Sequence, residues 1–156
     1  MSFLEEVREK LSKVEYPLEF NPIEWETRME ANCYTYALNL EENEGFMIGD
    51  FIGKRVTSKD SIGLQIQVLQ EEIEALGFYI LKCDVEDFVD EDSFKIYIEW
   101  NEKNQYHFLR QDIDGIWSHK AGGFLPTRFD KKGFLIMNPE TREEHYQGMC
   151  FLISKL

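Results

Sequence analysis

Residues 62–82, IGLQIQVLQEEIEALGFYILK, decide the fold. Ile62, Ile66, Leu69, Ile73 and Leu76 recur at four- and three-residue steps, the period of a single helix face, and Gly77 supplies a C-terminal stop. The spacing predicts a helix beginning near Ser58 or Asp60, with Glu71, Glu72 and Glu74 turned to water. Beyond Gly77 the period drops to two, so Phe78 to Lys82 reads as a strand. One chain therefore changes from helical to strand patterning at a glycine.

The remaining sequence sorts to the two sides of that boundary. Upstream, Ser2 is a candidate N-cap for a helix carrying Phe3, Leu4, Val7, Leu11 and Val14 on one stripe, with Pro17 ending it. Glu19 to Trp25 reads as irregular, and a second helix is expected from Asn32 to about Leu40. Downstream, an acidic linker spans Asp84 to Asp92. Phe94, Ile96, Ile98 and Trp100 then alternate with Lys95, Tyr97 and Glu99, which predicts a half-buried strand. Further strands are expected at 105–111, 116–120, 134–137 and 149–154. Helices followed by strands, with no repeat and no linker of domain type, predict one α+β domain over 1–156. In it N-terminal helices pack on a C-terminal antiparallel β-sheet.

Composition narrows the partners. A 156-residue chain with 43% hydrophobic and 14% aromatic residues can bury a core. Its net charge of -13 opposes nucleic-acid backbones and anionic membranes, so neither is an expected partner, and basic peptide or protein partners fit better. Cys33, Cys83 and Cys150 are an odd count without framework spacing, and Met1 to Lys10 shows no apolar signal core. Both features predict a cytoplasmic protein with free thiols. No glycine loop of nucleotide-binding type and no short Cys/His ligand spacing is present, so no cofactor or metal is expected.

Chemistry concentrates in one constellation. Asn32 is a preferred N-cap, which would place Cys33 in the first turn of its helix, where unpaired N–H groups favour a thiolate. His107 and His119 flank Ile113-Asp114-Gly115. A three-residue loop there pairs Asp112 with Ile116 and Leu109 with His119, which puts both histidines on one face, roughly 7–8 Å apart on the diagonal. A two-residue Asp114-Gly115 turn would put them on opposite faces. In the first register His119 can orient His107, and His107 can serve Cys33 as base. His145 reads as a solvated loop residue.

Cysteine opening a helix, then histidine on a strand, then a polar residue on the next strand resembles the papain-like fold. The twelve-residue step from His107 to His119 is similar to the Cys-His-His branch that includes NlpC-type cell-wall peptidases and amidases. More narrowly, NCYTYAL at 32–38 and HFLRQDIDGIWSHK at 107–120 resemble a group of small papain-like proteins carrying NCYxYAL and HxxRQDxDGxWSHKPG elements. The resemblance runs from about Asn32 to Phe151. It implies Cys33 as nucleophile, His107 as general base and His119 as orienting residue. The oxyanion donor would come from the Cys33 backbone or upstream, with Asn21 and Asn32 as side-chain candidates. Ile48-Gly49 and Ala121-Gly122 stand where the group has Pro-Gly. The expected activity is a cysteine hydrolase acting on an amide or isopeptide bond. The alternative is a non-catalytic acidic protein on the same fold, of phage- or toxin-inhibitor type, binding a basic partner through Asp84–Asp92 and Glu71–Glu74.

Overall fold

A computed structural model describes residues 1–142 and 147–156. Three α-helices, α1 (Phe3–Ser12), α2 (Cys33–Ala37) and α3 (Ile62–Ala75), precede five strands. The strands are β1 (Phe78–Cys83), β2 (Ser93–Trp100), β3 (Tyr106–Gln111), β4 (Trp117–Ser118) and β5 (Gln147–Lys155). They form one antiparallel sheet in the order β1-β5-β2-β3-β4. The α+β class expected from the patterning is the one observed.

Local chemistry sets the helix ends. Ser2 and Ser61 cap α1 and α3, their hydroxyls accepting from Glu5 and Leu64 amides. Gly77 follows α3 with φ 98°, the left-handed turn that glycine adopts without steric cost. α2 is shorter than its apolar run because Asn39 turns left-handed at φ 56°. The Leu40 amide then bonds Thr35 O and the Asn39 amide bonds Tyr36 O, a Schellman closure.

The sheet is covered on both faces. On one, the helices pack Val7, Leu11, Tyr34, Leu69 and Ile73 against Ile96, Ile98, Phe108 and Phe151. On the other, Val85 and Ile136 from loops cover Tyr97, Leu109, Trp117 and Cys150. That second layer corrects the half-buried reading of β2, which is buried along its whole length. Lys95 tolerates burial because its Nζ donates to the Val85 and Asp87 carbonyls, pinning the acidic linker to the sheet.

Three other expectations differ. Glu72 does not face water. It is fully buried and accepts from Tyr34 OH and from the Gly49 and Phe51 amides, so it ties α3 to the loop beyond α2. Residues 134–137 form no strand, because the Asp130–Gly133 turn folds that segment back and leaves one bridge, Phe129 to Leu135. β4 is two residues long, and His119 leaves it to bridge Thr127. His145 lies outside the described residues.

Candidate active site

The β3–β4 hairpin carries the histidines. Gly115, at φ 86°, donates to Asp112 O, and the Asp112 amide bonds Ile116 O, which closes a three-residue loop. The ladder pairs Arg110 with Ser118 and Gln111 with Trp117, so His107 and His119 share a face. Their rings meet edge to face at 5.0 Å, and His107 Nε2 lies 2.8 Å from His119 Nδ1.

Hydrogen-bond capacity assigns the tautomers. His119 Nε2 lies 3.1 Å from Phe129 O, a carbonyl that can only accept, so this nitrogen carries the proton. His119 Nδ1 then accepts, and His107 Nε2 donates to it. The remaining nitrogen of neutral His107, Nδ1, keeps its lone pair for a proton. Burial, then the nearness of His119 and Lys131, hold His107 down to about 3, so it is neutral at physiological pH.

Cys33 reaches the same strand from its edge. The Asp112 amide bonds Ile116 across the hairpin, so by alternation the N–H groups of Arg110 and Phe108 also point away from β2. β4 ends before it can pair with Phe108. The backbone N–H groups of Phe108, the residue after His107, and of Tyr34 and Cys33 draw the Cys33 thiol down. Burial outweighs these donors and pushes the Cys33 thiol up. No hydrogen bond joins Cys33 to His107 among the described residues. Cys33 is thus held as a neutral thiol and His107 as a neutral imidazole, unlike the helix-activated thiolate expected. A helix of five residues carries little macrodipole to change that.

A pocket of about 540 Å³ opens over the histidines. Glu99, directly opposite His107 on β2, is ion-paired with Arg142, and Tyr106, Asp130 and Lys131 complete much of the wall. Tyr106 lies between pocket and cysteine. Its hydroxyl accepts from the Ile48 amide at 3.0 Å, and a charge on Cys33 adds to the burial that raises its pKa.

The two asparagines separate. Asn32 caps α2, its Oδ1 accepting from the Thr35 amide at 3.0 Å and hydroxyl at 2.9 Å, while Nδ2 donates to Phe46 O at 2.7 Å. It positions Cys33, and its amide is engaged by the fold. Asn21 donates to Glu24 and lines another pocket with Asn39 and Glu41, beside the C-terminal end of α2 and remote from the cysteine end. No hydrogen bond joins Asn21 to the cysteine end of α2 among the described residues. The backbone amides around the sulfur remain as donors.

Several residues that hold the site were missed as functional. Arg110 is buried. It donates to Asp112 at 3.0 Å and to Tyr36 O at 3.0 Å, and its guanidinium lies 3.9 Å from the Tyr36 ring centroid. Tyr36 OH meets Ser118 Oγ at 2.7 Å, so β3 and β4 grip α2 from two sides. Lys120 is fully buried. Its Nζ donates to Met29 O at 2.8 Å and to Ala31 O, joining the turn before Cys33 to the turn after His119. The only sequence signal for these roles was their place in the WSHK and RQD runs.

No family model and no solved structure matches the chain. It is similar to insoluble matrix shell protein 1 of Ruditapes philippinarum, 26% identical over 127 residues and covering 80% of each chain. Among the described residues no group of three Cys, His, Asp or Glu side chains could hold a metal ion, and no helix is long and apolar enough to cross a membrane.

Proposed function

We propose that this protein is a papain-like cysteine hydrolase acting on an amide or isopeptide bond. The observation that supports the reading is the relay from Phe129 O through His119 to His107. It leaves His107 Nδ1 with its lone pair as the base, and the next residue, Phe108, contributes a backbone group that favours the Cys33 thiolate. As substrate enters, the Cys33 thiol gives its proton to Nδ1 while the sulfur adds to the carbonyl carbon. The imidazolium formed is stabilised by His119 Nδ1 and then protonates the leaving amine. Water or a second amine releases the acyl group from Cys33. The substrate is a peptide or protein, and exposed acidic residues favour basic sequences.

An electrophilic amide probe tests this. Cys33 should be labelled in the native chain, Cys33→Ala and His107→Ala should abolish labelling, and His119→Ala should slow it. Equal probe turnover by native protein and Cys33→Ala overturns the reading.

The alternative, an acidic protein that binds a basic partner without turnover, is favoured by the linker at 84–92. Asp84, Glu86, Asp87, Asp90, Glu91 and Asp92 are exposed there around Phe88, itself 82% exposed. The Glu71–Glu74 half of that surface is weaker than expected. Glu72 is buried and Glu71 pairs with Lys54. The shell protein similar to this chain is named for a matrix, a role that would also rest on binding.

A further inference from the structure

Cys83 and Cys150 stand directly opposite each other on antiparallel β1 and β5. Opposed residues on such strands have Cα atoms about 4.5–5.5 Å apart, inside the span a disulfide accepts. Both side chains turn to the face covered by Val85, Tyr97, Leu109 and Trp117, and the sulfurs lie 3.2 Å apart with a hydrogen bond between them. Access to the pair is unequal: Cys83 is half-buried and Cys150 is buried. The hydrogen bond shared with Cys150 and the ammonium of Lys95 hold the Cys83 thiol below its ordinary range, while Cys150 is pushed up. Cys83 is therefore the thiol that an oxidant reaches first, and Cys150 is the one placed to resolve the product.

We propose that Cys83 and Cys150 are a disulfide-forming pair, closed by a small disulfide oxidant such as oxidised glutathione, with Cys33 left as the free thiol. Cys83 thiolate attacks one sulfur of glutathione disulfide, forming a mixed disulfide and releasing one glutathione thiolate. Cys150, on losing its proton, attacks the Cys83 sulfur, forms the intramolecular bond and releases the second glutathione. Two electrons and two protons pass from the protein thiols to two glutathione molecules. The cysteine arithmetic changes with this pairing. Three thiols are two plus one rather than an odd set, so their number no longer argues against an oxidising compartment.

The test uses the full chain titrated with oxidised glutathione, alkylated under denaturing conditions and mapped by mass spectrometry without reduction. Alkylatable thiols should fall from three to one, with a peptide linking Cys83 to Cys150. The bond closes a loop spanning 67 residues, so Tm should rise by about 10 °C and return on adding dithiothreitol. Cys33→Ser should show the whole response, which separates this outcome from that of the hydrolase reading. Cys83→Ser and Cys150→Ser should show none of the rise. A persistent glutathione adduct at Cys83, a cross-link through Cys33, or three thiols remaining at full oxidation would overturn the proposal.

Discussion

Lowering the pH should destabilise this fold through His107 in a way a single variant isolates. Its folded-state pKa is depressed, to about 3, against an ordinary value of 6.5. Above pH 6.5 neither state binds the proton, and the residue adds no pH dependence. Below 6.5 the unfolded chain takes a proton that the folded chain refuses, so stability is lost as pH falls, at about 1.4 kcal/mol per unit, until the folded value is approached. Between pH 6.5 and 4 the loss attributable to His107 is about 3 kcal/mol. His107→Gln can keep an amide N–H towards His119 Nδ1 and does not titrate. Urea unfolding across this range should show the native protein losing that amount relative to the variant, on top of a carboxylate contribution common to both. The 15N shifts of His107 should report a neutral, Nε2-protonated ring down to about pH 4. Parallel stability curves for the two proteins, or an imidazolium at pH 6, would refute the assignment of His107 as a buried neutral base.

Lys120→Met removes the ammonium bonding Ala31 O, while Met29 O keeps the Gly123 amide at 2.7 Å. One orphaned carbonyl, partly offset by relief of a buried charge, should cost about 2 kcal/mol. Cys33 labelling should slow even at temperatures where the variant is folded, and unchanged stability and labelling would count against the clamp. Glu72→Gln should cost about 2 kcal/mol, because the new NH₂ faces an amide donor where a carboxylate oxygen accepted. Hydrogen exchange at Gly49 and Phe51 should accelerate, and protection equal to the native protein would show that these bonds contribute little.

The helix-to-strand boundary at Gly77 was legible because periodicity and a left-handed glycine agree there. The hairpin register was legible for a similar reason. An odd loop with Gly115 in the positive-φ position leaves one pairing that seats both histidines on the same face. Burial of charge was not legible. Glu72, Lys95 and Lys120 occupy positions whose residue type signals solvent, and each is buried because irregular backbone nearby presents groups with no other partner. Those backbone groups belong to loops distant in sequence, so no local pattern announces them. The placement of Asn21 was not legible for a related reason. Being upstream of Cys33 places it along the chain but does not say which end of α2 it meets.

The two long motifs become intelligible once their residues are separated by what they touch. In NCYTYAL only Cys33 carries a thiol. Asn32 caps, Tyr34 bonds Glu72 and Tyr36 is held by Arg110 and Ser118. In the second element His107 and His119 form the relay, while Asp112 fixes Arg110 and Asp114 accepts from Arg128 and from the Ile116 amide. Cys33 and His107 lie more than seventy residues apart in the chain, and a buried polar frame fixes their two segments to each other with greater directional precision than apolar packing. Lys120 Nζ and the Gly123 amide both bond Met29 O, so the turn after His119 is held from outside by the segment that leads into Cys33.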